Sequence, residues 1–198
     1  MEEMEKEVGI TGRKVLLRAA EEQDRVLLLG LIQDPEIVKV TKGYRSPVFG
    51  GSPQDGVRFL QVPAGCFRRV IADREHPESG LGIIQLSDLD GKSKTAQIHI
   101  KLLKSARGRG YGRDAVNILV SYAFEDLLLD SIRSCILENN TASRRLFEAC
   151  GFRLEEMHKS STDRDGRSRK VCTYVRRKRG GRDADHFMKR DGEQHGKQ

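Results

Sequence analysis

Between residues 96 and 128 the chain changes period within a few positions. A strand-like stretch at 96–103 gives way to one at 112–128, where Ala115, Ile118, Leu119, Tyr122, Ala123 and Phe124 recur at helical spacing. Between them stands Arg107-Gly-Arg-Gly-Tyr-Gly112, with glycine at every second position. Such a segment can turn sharply and bring several N–H groups to one side with no Cβ in the way, next to the positive end of the following helix. That arrangement suits an anion: a pyrophosphate would be held by the amides and by Arg107 or Arg109. The same letters also fit a plain glycine-rich turn with its arginines in solvent, since short glycine motifs are common by chance. The spacing is not GxGxxG, and no GxxxxGK[ST] occurs in the chain, which disfavours dinucleotide and P-loop sites.

Ahead of this junction, residues 14–18 alternate as a strand does, and 21–32 carry Val26, Leu27, Leu29 and Ile32 at helical spacing. Residues 40–64 turn to Gly, Pro and Ser, with a short helix at 54–60, and read as loops that form a wall. Strand-like runs at 67–72, 81–86 and 96–103 are parted by turn-rich pieces and form an antiparallel meander. Past the helix come a strand at 132–137 and a second helix at 140–150, with Leu146 and Phe147 inward and Gly151 placed as a left-handed cap. Strands at 152–158 and 170–174 flank a turn at 163–166. The order β, α, β, β, β, α, β, α, β, β predicts a mixed α+β fold on a central sheet.

A length of 198 residues suits one domain: a flexible start at 1–8, the domain at 9–177, and a basic tail at 178–198 that lacks any apolar period and reads as disordered. No apolar run approaches the ~20 residues that cross a bilayer, and the acidic start is unlike a secretory signal. A cytoplasmic protein with no membrane partner is therefore expected. The four cysteines form no CxxC and no zinc-ligand cluster, so reduced thiols and no metal site are expected. The formal charge of +7 attracts polyanions, whether nucleic acid, ribosome or a phosphorylated cofactor, and does not choose among them.

Arg107-x-x-Gly110-x-Gly112 resembles the R/QxxGxG/A signature with which the GNAT superfamily of N-acetyltransferases holds the pyrophosphate of coenzyme A. Asn140, Ser143 and Gly151-Phe152 resemble the family's NxxS…GF segment, in which the Asn contacts the cofactor arm. With Leu16-Leu17-Arg18 and a late Asp-Gly turn, residues 8–177 are most similar to the ribosomal-protein N-acetyltransferase branch. The resemblance implies a mostly antiparallel sheet with flanking helices, splayed between the fourth and fifth strands, those at 96–103 and 132–137. It implies acetyl-CoA as co-substrate, with its pyrophosphate at Arg107, Gly108, Arg109, Gly110, Tyr111 and Gly112. The pantetheine arm would pair with the backbone of Lys101, Leu102 and Leu103, near Asn140 and Ser143. A protein N-terminal amine is the implied acceptor, with a small amine such as a polyamine, amino sugar or antibiotic behind it. The net positive charge argues mildly against a polycation.

Direct transfer in a ternary complex asks little of side chains, because the thioester is already activated and needs mainly to be held in line with the amine. The Leu102 backbone N–H is the implied oxyanion donor. The tyrosine that many relatives carry four residues before the GF glycine is Phe147 here. Ser143 is the acid the branch suggests, although serine at a helix start is also a common N-cap. Gln97 stands where relatives often carry Glu, which leaves the base unassigned. His99 lies on the same side of its strand as Gln97 and Lys101 and is the nearest group titrating near neutrality, or else an ordinary strand histidine. Cys135 reads as a small buried residue, and Tyr111 and Tyr122 as packing or covering the adenine. The second reading is an inactive GNAT-like scaffold that binds ribosome or nucleic acid, a contact the basic tail would make weakly and salt-sensitively. Monomer and homodimer both stay open.

Overall fold

The computed structural model describes residues 9–41, 62–159 and 169–180. Strands β1 (Ile10–Thr11) and β2 (Val15–Arg18) lead through a short 3-10 turn into helices α1 (Arg25–Gln33) and α2 (Pro35–Thr41). There follow β3 (Phe67–Asp73), β4 (Gly80–Asp90), β5 (Thr95–Leu102), α3 (Tyr111–Glu125), β6 (Ser131–Leu137), α4 (Thr141–Ala149), β7 (Arg153–Lys159) and β8 (Lys170–Arg177). They build one eight-stranded sheet in the order β1-β2-β3-β4-β5-β6-β8-β7. Only β5 and β6 run parallel; every other neighbouring pair is antiparallel.

The core follows from strand alternation. Val15, Leu17, Phe67, Ile71, Ile84, Leu86, Ala96 and Ile98 face α3, which returns Ala115, Val116, Leu119, Val120 and Ala123, all fully buried or nearly so. The other face carries Val70 and Ile83 against Leu27, Leu28, Leu31 and Ile37 of α1 and α2. Helices on both faces explain why β3 is buried at six successive positions. Arg18 ties β2 to the start of α1, donating to Asp24 Oδ2 at 2.7 Å and Oδ1 at 2.8 Å, with Asp24 almost wholly enclosed.

Several sequence expectations need correction. The inward side of α1 is Leu27, Leu28 and Leu31, while Val26 is 77% exposed and Leu29 46% exposed. Helix α2 lies partly in the stretch read as loops, started by Asp34 as a side-chain cap and by Pro35 at the first helical position, where proline loses nothing. Strand β8 runs on to Arg177, and Lys178 is anchored beyond it, its N–H donating to the Asp130 carbonyl and its ammonium to the Phe124 carbonyl. The short helix at 54–60, the turn at 163–166 and the tail from 181 lie outside the described residues. Among the described residues no helix is long and apolar enough to cross a membrane.

Candidate active site

β5 and β6 pair only over Thr95↔Ser131, Ala96↔Ile132 and Gln97↔Arg133, then part. The Ser134 hydroxyl bridges the start of the gap, donating to the Ile98 carbonyl at 3.3 Å. Beyond it opens a cleft of about 530 Å³, bordered by Ile100 and Leu102 on one strand, Ile136 on the other, and by Gly110, Gly112 and Leu146 at the helices. That volume lies in the range of small-molecule sites.

The register decides which backbone groups reach the cleft. Leu103 N–H donates to the Leu81 carbonyl at 2.9 Å, with Gly82 opposite Leu102 and Ile83 opposite Lys101. Antiparallel pairing alternates, so Lys101 and Leu103 turn their backbone groups toward β4, while Leu102 and Ile100 turn theirs to the open side. Of the three residues expected along the cofactor arm, only Leu102 therefore turns its backbone groups to the open edge, where its carbonyl accepts from Arg107. Ile100, missed from sequence, joins it.

The glycine turn enters α3 with Gly108 at φ 74° and Gly110 at φ 85°, both left-handed, whereas Gly112 already sits within the helix. Gly110 is the N-cap and has no side chain to turn back onto the first amides of α3, a 15-residue helix. The acid of the first turn, Asp114, points elsewhere: its Oδ2 accepts from the N–H groups of Lys14 at 2.7 Å and Val15 at 3.1 Å. Lys14 instead reaches over the turn, its ammonium donating to the Arg109 carbonyl at 3.0 Å. This cation beside the amides is the second contribution that the sequence reading missed, since it comes from the bend before β2, more than ninety residues away.

Both side chains expected beside the pyrophosphate, Arg107 and Arg109, have protein partners. Arg107 donates to Asp34, Glu36 and the Leu102 carbonyl. The Tyr111 hydroxyl donates to Asp73 Oδ2 at 2.9 Å and its ring is buried, a packing position. Arg109 stacks its guanidinium 5.1 Å from the Tyr111 ring centre. Tyr122 packs on Phe67 with ring centres 5.1 Å apart.

Asn140 and Ser143 both line the cleft at the start of α4. The cap there is Asn140, whose Oδ1 accepts the Ser143 N–H at 3.2 Å. Phe147 is buried edge-on to Phe152, ring centres 5.0 Å apart. On the opposite side of the sheet a polar band crosses the strands. Ser87 Oγ lies 3.0 Å from His99 Nε2, Arg68 Nε donates to Gln85 Oε1 at 2.7 Å, and the Cys135 thiol lies 3.9 Å from Gln97 Oε1. Burial pushes the His99 imidazole down to about 4, with Lys101 and Arg133 adding to the shift against Asp88. Burial, aided by the charge of Arg68, pushes the Lys101 ammonium down to about 8. Burial raises the Cys135 thiol, consistent with a packing role.

Residues 14–153 match the family model described as an acetyltransferase (GNAT) domain. The chain is 32% identical over 115 residues to the putative ribosomal N-acetyltransferase YdaF of Bacillus subtilis, a match covering 54% of this chain and 62% of that protein. In fold it is similar to the spermidine N-acetyltransferase of Vibrio cholerae solved with CoA and spermine, with TM-score 0.69 at 21% identity, covering 83% of this chain and 95% of that one. It is also similar to the microcin C7 self-immunity acetyltransferase MccE solved with acetyl-CoA and AMP, with TM-score 0.70 at 19% identity, covering 87% and 100%.

Proposed function

The chain belongs to the acetyltransferase (GNAT) family, whose co-substrate is acetyl-CoA, and on that premise we propose that it acetylates a protein N-terminal amine by direct transfer in a ternary complex. The observation that carries this reading is the Leu102 peptide edge, opened toward a cleft that ends in a glycine-started helix with uncapped amides. The diphosphate lies on the backbone amides of residues 108–113 with Lys14 beside them, and the pantetheine arm follows Ile100 and Leu102. The thioester carbonyl then meets the Leu102 N–H, a contact worth roughly 3 kcal/mol of barrier when charge develops on that oxygen.

The cofactor occupies the side of the cleft next to α3 and α4, so the amine arrives from the side of α2, past His99 and Lys101. An amine reaches the site mostly as ammonium and must lose a proton before it attacks. His99, down at about 4, is too weak a base to take it efficiently and acts as a neutral hydrogen-bond partner held by Ser87. Lys101, at about 8, is far better matched to an N-terminal amine, whose ordinary value is about 8. Ser143 gives a proton to the departing thiolate. A protein N-terminus is preferred to a polyamine because of the ribosomal relative and the +7 charge of this chain.

The test is mass spectrometry of a panel after reaction with isotope-labelled acetyl-CoA: peptides beginning with Met, Ala, Ser or Thr, with spermidine and an amino sugar alongside. Label on peptide N-termini supports the reading, and label on spermidine alone overturns the choice of acceptor. CoA binding with no product from any amine would favour a scaffold that has lost its chemistry.

A further inference from the structure

Arg107 is the first residue of the phosphate-loop motif, yet its guanidinium spans three groups that are not phosphates. Nη2 donates to Asp34 Oδ2 at 2.5 Å and Nη1 to Glu36 Oε2 at 2.6 Å. Nε and Nη2 also reach the Leu102 carbonyl, at 3.1 and 2.9 Å. Asp34 is committed in turn, because its Oδ1 caps α2 through the N–H groups of Glu36 at 2.8 Å and Ile37 at 3.3 Å. Glu36 also holds Lys104 at 3.3 Å.

Resting on the acyl-transfer reading above, we propose that Arg107 is a positioning residue, which fixes the Leu102 peptide edge and ties it to helix α2 on the acceptor side. Leu102 turns both its N–H and its carbonyl toward the cleft, by the pairing argument given above. An unpartnered carbonyl there would repel the thioester oxygen as it gains negative charge, and it would compete for the hydrogens of the pantetheine arm. The guanidinium removes that lone pair from play and leaves positive potential beside the oxyanion position. Two more of its N–H groups clamp the start of α2 through Asp34 and Glu36, where Glu36 and Ile37 line the cleft. One planar group thus sets the distance between the oxyanion donor and the wall along which the amine approaches. A lysine cannot do this, since a single ammonium cannot hold two carboxylates and a carbonyl in one plane.

The test compares Arg107→Ala, Arg107→Lys, Asp34→Asn and the double variant Arg107→Ala/Asp34→Asn. Calorimetry reads the dissociation constant for CoA, and steady-state kinetics read kcat and KM with the best peptide of the panel. Arg107→Ala and Asp34→Asn are each expected to lower kcat about tenfold or more while CoA affinity changes less than about threefold. Arg107→Lys is not expected to restore kcat, and the double variant is expected to be no worse than Arg107→Ala. If Arg107→Ala or Asp34→Asn fails to fold, Glu36→Gln, at an exposed position, is expected to lower kcat several-fold with the same split. Loss of CoA affinity in Arg107→Ala with an unaltered kcat in Asp34→Asn would overturn the inference and make Arg107 a phosphate ligand. A wild type that binds CoA but acetylates nothing would overturn the acyl-transfer reading itself, and this inference with it.

Discussion

Asn140 Oδ1 accepts the backbone hydrogen of Ser143, so the capping of α4 falls to the asparagine and the serine hydroxyl is left at the cleft with no capping duty. The two side chains are therefore separable by mutation. Ser143→Ala is expected to lower kcat by about a hundredfold or more, in the range of acid–base contributions, with little change in unfolding temperature. Asn140→Ala is expected to destabilise the protein by about 1 kcal/mol through the lost cap. Stopped-time thiol release and thermal unfolding on the two variants check both halves.

The two motif glycines should respond differently. Gly110 sits at φ 85°, and an added Cβ would meet nothing nearer than the Lys14 ammonium at 3.4 Å, so the obstacle is conformational rather than steric. Gly110→Ala is expected to cost roughly 1–2 kcal/mol and to weaken CoA binding as the amides rotate. Gly112 is helical, and a Cβ there would meet the Leu102 Cδ1 end at 3.0 Å, a flexible contact. Gly112→Ala is expected to leave stability within about 1 kcal/mol, since helix propensity offsets the contact. Calorimetric CoA titration with denaturant unfolding separates these effects.

Lys14→Ala is expected to raise the KM for acetyl-CoA by about tenfold at low salt, and by less at high salt, because it removes one cation near a diphosphate. The fold should persist, since the backbone N–H of Lys14, not its ammonium, bonds Asp114. A KM that does not respond to salt would place the phosphates away from Lys14.

The buried histidine sets a pH dependence of stability. His99 is held near 4 in the fold against an ordinary 6.5, so between those values the unfolded chain binds the extra proton. Stability tied to this group is complete above about pH 6.5 and is lost as pH falls toward 4, by roughly 3 kcal/mol in all. Urea unfolding from pH 7 to 4 should show a shallower decline in His99→Gln than in wild type. Carboxylates held low, such as Asp34, act in both proteins and cancel in the difference.

Lys101 offers a separate kinetic signature. If it accepts the proton of the amine, kcat with saturating peptide rises with pH through about 8, and Lys101→Gln lowers kcat and removes that limb. A limb that survives in the variant would belong to the acceptor.

Much of the scaffold was legible because its signals are local. The strand-like runs of β3 to β5 between turn-rich pieces, the helical period of α3 and the left-handed Gly151, at φ 80°, each need only neighbouring residues. The parting of β5 from β6 came from the motif resemblance, since nothing in either strand's composition states where pairing stops. The inner face of α1 was misread because Val26, Leu27, Leu28 and Leu29 follow one another with no polar contrast to set a phase. Helix α2 carried its own start signal in Asp34-Pro35, which was hidden beside the Gly- and Pro-rich stretch. The site's side chains were the hardest part. Arg107 meets Asp34 and Glu36 across more than seventy residues, and Lys14 reaches Arg109 across ninety-five. Motif matching gives such residues a role by their letters, whereas their partners are decided only when the sheet is assembled.

The central claim is that the glycine turn and the parted strands together hold acetyl-CoA, and a crystal structure of the protein grown with acetyl-CoA tests it most directly. The account predicts diphosphate oxygens within hydrogen-bond distance of the amides between residues 108 and 113, with the thioester carbonyl at the Leu102 N–H. A cofactor bound elsewhere, or one whose thioester lies on the far side of β6 from Leu102, would contradict it.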